Sequence, residues 1–179
     1  LETVLPWEQG TDRSQWPKSE EHCWLFGSRY WDALTPAQRA ELAWLEIGRD
    51  VTAFIKLERF LPVLYVGYIN KYRHALPKEV YDYMLIFSKE EIVHTLMFKR
   101  YMKMNGLPLI MDPDSPYKAF LEVVNEIPPV YGILFTLLVE WAAELNAMHL
   151  TQHDGVESFT RSEEHTSELQ SPCNLVCRL

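Results

Sequence analysis

Prolines and turn residues bound three long segments of this chain that carry a single internal proline, and that spacing constrains the fold more than any other feature. Thr35-Pro36-Ala37-Gln38 is a helix start: the Thr35 hydroxyl can accept from a first-turn amide, Pro36 needs no donor there, and Gln38 completes a capping box. A helix is expected from Pro36 to Tyr72, with a kink or break near Leu61 because Pro62 falls inside it. Leu76-Pro77 opens a second long helix, which Asn105-Gly106-Leu107-Pro108 closes with a left-handed cap and a breaker. Asp112 to Pro116 reads as a turn leading into a short helix that Ile127-Pro128-Pro129 stops. A further long helix is expected from Val130 to Gln152, ending at Asp154-Gly155. Seven glycines in 179 residues, against 13% aromatics, favour packed helices over a sheet protein. The expected class is all-α, a helical bundle of the four-helix type that lacks its last member.

Residues 1–34 hold Pro6, Pro17 and Gly10 and show no sustained period, so they read as an irregular, aromatic-rich arm lying across the bundle. Its aromatics, Trp7, Trp16, Trp24, Phe26 and Trp31, are expected to cover core. Residues 35–160 form the bundle. Residues 161–171, RSEEHTSELQS, resemble the codon-by-codon translation of a short-read sequencing adapter, so 161–179 is set aside as an artefactual tail and the coding sequence is expected to have been cut near Thr160.

A net charge of −8 without a Lys/Arg stripe argues against nucleic acid or an anionic membrane as partner. The longest apolar run, Ile133 to Val139, is far below the roughly 20 residues of a spanning helix, and no signal peptide is recognised. Cys23 alone lies in the main body, so no disulfide framework is expected, and a reducing, cytoplasmic location follows. A small-molecule ligand suits this surface better.

Glutamates in apolar helical surroundings carry the chemical information, because a buried carboxylate costs several kcal/mol unless a cation or hydrogen bonds offset it. Glu58 lies in FIKLERFL, and Glu91 and His94 lie in YMLIFSKEEIVHTLMF, three residues apart and so on one helix face. Glu140 lies in GILFTLLVEWAAEL, with Glu144 one turn on and on the same face. The more apolar neighbours of Glu140 favour it. One carboxylate on each of three successive helices is the pattern of a di-iron or di-manganese site in a bundle core, where two helices each give a Glu and two each give a Glu-x-x-His. Glu58, Glu91, His94 and Glu140 are the candidate metal ligands. A second Glu-x-x-His is lacking: His149 and His153 have no Glu three residues before them and read as a solvated helix end. Glu46, in WLEIGRD, is a weaker competitor of Glu58 because its surroundings are more polar. Lys99, Arg100 and Lys103 read as a solvated face matching the helix C-terminus, and Tyr81, Tyr83, Tyr101 and Met97, Met102 and Met104 as core and rim.

FSKEEIVHTLMFKRYM, with the Glu58 helix before it and LLVEWAAELNAMH after it, resembles the p-aminobenzoate N-oxygenase family of di-iron oxygenases in the ferritin-like superfamily, over about Leu25 to Thr160. The resemblance implies a ferritin-like bundle and two Fe ions, with Mn as the alternative. It also implies O₂ as co-substrate, a small organic substrate oxidised at nitrogen or carbon, and an unspecified electron donor, with a homodimer as an option. Glu58, Glu91, His94 and Glu140 match the first four ligand positions. The remaining motif, His-x-x-x-Glu-x-x-His, has no counterpart, so the chain as it stands is expected to be inactive while the parent gene encodes a monooxygenase. Two other readings stay open: a ferritin-like protein that stores iron or removes peroxide, favoured by a polar-lined core, and a metal-free helical interaction protein, favoured if the four side chains scatter to solvent.

Overall fold

The computed structural model describes residues 7–109, 123 and 126–151. They are helical throughout their ordered elements: a short 3-10 turn at Glu20–His22, then α1 (Arg29–Asp32), α2 (Pro36–Tyr72), α3 (Lys78–Met104) and α4 (Pro129–Thr151). The class is all-α, with the long helices of a ferritin-like protein. The turn at Asp112 to Pro116, most of the short helix expected after it, His153 and the 161–179 tail lie outside the described residues.

Local chemistry sets the helix ends. At the start of α2 the Thr35 amide donates to Gln38 Oε1 (2.9 Å) and the Gln38 amide donates back to Thr35 Oγ1 (3.4 Å), the reciprocal box that satisfies first-turn donors. At the end of α3, Gly106 takes φ of 61°, its amide donates to the Lys103 carbonyl and the Leu107 amide donates to the Met102 carbonyl. That pair of bonds closes the helix, and a side chain at 106 would be strained in it. Tyr131 and Gly132 donate to the Pro128 carbonyl and start α4.

The chain divides into two compact units. The first comprises Leu1–Asp50, Met102–Leu109 and Glu140–Leu179. In it the segment before α2 is fastened by specific contacts rather than by regular structure. Lys18 is 1% exposed and its Nζ lies 2.6 Å from Glu46 Oε2, while Glu46 also accepts from the Trp24 amide. Trp44 Nε1 donates to the Gln15 carbonyl, and Arg13 donates to the Asn105 carbonyl. Trp31, Cys23 and Ala43 form a small core with Trp16, Leu34 and Leu42 against it. The expectation that the arm's aromatics all cover core needs correcting at Trp24 and Phe26, which are 74% and 49% exposed. Trp24 instead carries the Arg49 guanidinium 3.9 Å above its ring, a cation–π contact that the flat indole can make in water.

The second unit comprises Val51–Tyr101 and Ile110–Val139. Its core joins Phe60, Leu61, Leu64, Tyr65 and Tyr68 of α2 to Tyr83, Met84 and Phe87 of α3, with Ile127 and Ile133 packed against them. α2 runs unbroken through Pro62, so of the expected kink or break there is no break. A mid-helix proline costs roughly 3 kcal/mol. Phe60, Leu61, Leu64 and Tyr65 around it are all buried, at roughly 1.5–3 kcal/mol for each large apolar side chain, so packing holds the helix together. Gly132 in α4 is required by a close approach: a Cβ there would overlap the Tyr68 hydroxyl and lie 2.6 Å from Tyr68 Cε2.

Candidate metal centre

Glu58 on α2 and Glu91 and His94 on α3 come together inside the second unit, with one potential ligand atom from each lying within 4.8 Å of the others. The imidazole Nδ1 of His94 sits 3.4 Å from Glu58 Oε2 and 3.9 Å from Glu91 Oε1. Glu91 is 1% exposed and Glu58 4%. Helical spacing explains the convergence. Glu91 and His94 are three positions apart and lean to one side of α3, while Glu58 lies one turn before buried Leu61 and two turns before buried Tyr65 on α2.

The surroundings are apolar and aromatic. Phe87, one turn before Glu91, packs on Tyr65 with ring centroids 5.0 Å apart, and Tyr83 lies 5.7 Å from Phe87. Burial is therefore the main influence on the Glu91 carboxyl. Together with the neighbouring carboxyl of Glu58, it pushes Glu91 up to about 10, and His94 pulls only weakly the other way. Burial likewise pushes the Tyr65 phenol well above its ordinary range.

Two carboxylates and an imidazole in so small a volume fit a hard divalent cation. Without one, two like charges would be buried together, and the pair keeps a proton instead. Glu91 Oε2 is buried with no hydrogen-bond partner, which is the position of a donor atom aimed at something other than the protein. Oxygen and nitrogen ligands of this kind suit iron or manganese.

Glu140 is half-buried on α4 and falls in the first unit, as does Glu144, also half-buried. The group of three is drawn from the second unit alone. Glu46 is spoken for by Lys18, and His149 is exposed. Tyr83, Tyr101, Met97 and Met102 are buried; Tyr81 and Met104 are half-buried. Thr95 escaped the sequence reading. It is 7% exposed, four residues after Glu91 and hence on the same face, and its hydroxyl meets no hydrogen-bond partner. The i,i+4 step from Glu91 was the available signal.

Buried carboxylates and an imidazole gathered from two long helices form a group that could hold a metal ion in an all-helical chain. The sequence profile of the p-aminobenzoate N-oxygenase AurF family matches residues 2–153, and the chain belongs to that family. The membership makes it an oxygenase of the di-iron type in general. No match is found among curated proteins or among solved structures. No helix among the described residues is long and apolar enough to cross a membrane.

Proposed function

We propose that Glu58, Glu91 and His94 are ligands of a non-haem di-iron centre, with Glu140 as a fourth, and that the protein uses O₂ to oxidise a small organic substrate. The reaction class is arylamine N-oxygenation or C–H hydroxylation. The observation that carries the proposal is the convergence of two buried carboxylates and one imidazole within 4.8 Å among aromatic side chains. Bound iron would supply the redox chemistry of O₂ activation.

The chain's own residues do the rest. Glu58 and Glu91 offset the charge of the cations, and His94 presents Nδ1 to the same volume. Phe87, Tyr65 and Tyr83 keep water from one side, which strengthens every electrostatic contact in the site and protects a reactive oxidant from quenching. These apolar walls favour the oxygenase over an iron store, whose core would be polar-lined. The Thr95 hydroxyl offers a hydrogen bond on the Glu91 face.

The test is anaerobic Fe(II) titration of this chain and of any longer chain that contains it. About two iron per chain are expected where a second Glu-x-x-His accompanies these residues. Glu91→Ala should abolish tight binding, and unchanged stoichiometry in that variant would sink the assignment. For the reaction, ¹⁸O₂ supplied with a panel of arylamines and aliphatic substrates should place label in the product; product oxygen drawn from water would refute an oxygenase.

A further inference from the structure

Buried hydroxyls inside the helices of the second unit are not treated alike. Ser88 Oγ donates to the Met84 carbonyl (2.7 Å) and Thr136 Oγ1 to the Gly132 carbonyl (2.9 Å), each reaching back four residues along its own helix. That bond is the usual resort of a serine or threonine shut inside a helix, because the carbonyl one turn back is always within reach. Thr95 on α3 is as buried as Ser88, at 7% against 6% exposure, and the carbonyl four residues back belongs to Glu91. Its Oγ1 nevertheless makes no hydrogen bond. Glu91 Oε2 is likewise buried and without a partner. At about 100° per residue, Thr95 stands about 40° to one side of Glu91 around α3 and His94 about 60° to the other, so Glu91 lies between them. A hydroxyl that can donate and a carboxyl oxygen that can accept thus stand one turn apart on one stripe, and both are unmet. Native chains leave few buried polar atoms in that state, because each costs the desolvation of the group with nothing in return.

We infer that Thr95 is a positioning residue for Glu91: in the cation-bound protein its hydroxyl donates to the Glu91 carboxylate and holds that ligand in one orientation. The assignment rests on the reading of Glu58, Glu91 and His94 as a metal centre. A carboxylate that binds a cation is acceptor-only and offers roughly four lone-pair sites over its two oxygens. A cation placed among the three ligands engages only part of that capacity, and the apolar, aromatic surroundings bring few donors for the remainder. A hydroxyl that donates to the carboxylate makes a charge-assisted bond, about twice as strong as a neutral one. It also stops the side chain from turning away from the shared volume. Partners of this kind contribute about 10–100-fold to metal affinity without touching the metal. Ser88 lies on the same side of α3 but cannot take the role, because its proton is committed to the Met84 carbonyl.

The experiment compares the unaltered chain with Thr95→Val, which keeps the shape and removes the hydroxyl, and Thr95→Ser, which keeps the hydroxyl. Two quantities are read on each full chain: Co(II) affinity from visible absorption, and the melting midpoint in chelator from circular dichroism. Thr95→Val should bind Co(II) about 10–100-fold more weakly. Thr95→Ser should stay close to the unaltered chain. In chelator the order should invert, with Thr95→Val melting about 2–4 °C higher than the unaltered chain, because an unpaired hydroxyl has been taken out of an apolar interior. A side chain that served only to pack α3 would lose affinity and stability together, so the opposite signs of the two changes separate positioning from packing. Equal Co(II) affinity in Thr95→Val and the unaltered chain overturns the proposal and leaves the metal centre in place. A lower melting midpoint for Thr95→Val in chelator overturns it as well, and so does a loss of affinity that Thr95→Ser shares. An unaltered chain that takes up no Co(II) refutes the metal centre itself, and the role of Thr95 falls with it.

Discussion

Replacing Glu91 by glutamine should abolish a pH dependence that the metal-free protein owes to this one carboxyl. Glu91 is 1% exposed, and burial and the adjoining Glu58 carboxyl hold its proton far above the ordinary value of 4.5. Between pH 5.5 and 7.5 the unfolded chain has lost that proton and the folded chain keeps it. The native state therefore binds one more proton, and its stability falls as pH rises, by about 1.4 kcal/mol per pH unit. Over the two units the loss is about 3 kcal/mol. The amide that Glu91→Gln introduces has nothing to titrate, so the advantage of the variant over the unaltered protein should grow by nearly that amount between pH 5.5 and 7.5. Urea unfolding followed by circular dichroism, with chelator present, measures the difference. Adding Fe(II) or Mn(II) without chelator should reverse the order at pH 7.5, because the cation takes the place of the proton and stabilises only the form that binds it. Parallel pH profiles for the two proteins in chelator would show that Glu91 ionises as freely in the folded state as in the unfolded one, and the reasoning would fail.

Three further outcomes are expected. His94→Ala should weaken Co(II) binding, read from visible absorption, by at least tenfold, as loss of an imidazole ligand does; unchanged spectra would remove His94 from the centre. Gly132→Ala should cost about 1–3 kcal/mol, because the added methyl overlaps Tyr68 and overpacking outweighs the better helix propensity of alanine; a melting temperature equal to or above that of the unaltered protein would refute the close approach. Lys18→Met should cost about 3–5 kcal/mol by leaving the Glu46 carboxylate buried without its cation, and Lys18→Met with Glu46→Leu should recover most of it; equal losses in both variants would show that the ion pair is not what the single substitution breaks.

What could be read from the sequence was what local chemistry decides. The Thr35 and Gln38 box and the Gly106 cap involve residues within five positions of one another, so composition at the helix ends was enough to place α2 and α3. Glu91 and His94 were legible for the same reason, since a three-residue step fixes their common face. The join to Glu58 needed only the length of one helix out and one back. What was hidden depended on partners distant along the chain. Nothing near Gly132 announces that the Tyr68 ring lies on it, nor does anything near Trp24 announce that Arg49 will cover its exposed face. The continuity of α2 through Pro62 was hidden too, because the opposing cost is met by Tyr83, Met84 and Phe87 on another helix.

Glu46 and Glu58 show where local reasoning ends. Both lie on α2, twelve residues apart, and both are buried, at 7% and 4% exposure. The sequence preferred Glu58 because WLEIGRD is more polar than FIKLERFL, yet burial does not separate them. Their partners do. Glu46 meets Lys18, a cation delivered by an irregular segment 28 residues away, together with the Trp24 amide. Its charge is offset inside the protein, and the demand for anything further is small. Glu58 meets a second carboxyl and an imidazole whose Nδ1 faces both. Two acids and an imidazole bring no permanent positive charge to the volume they share, so the ionised form of the two acids is favoured when a cation comes from solution. A buried glutamate is thus a candidate metal ligand through what it is buried against, and the difference between a structural ion pair and the proposed metal centre on this one helix rests on Lys18 in the first case and Glu91 in the second.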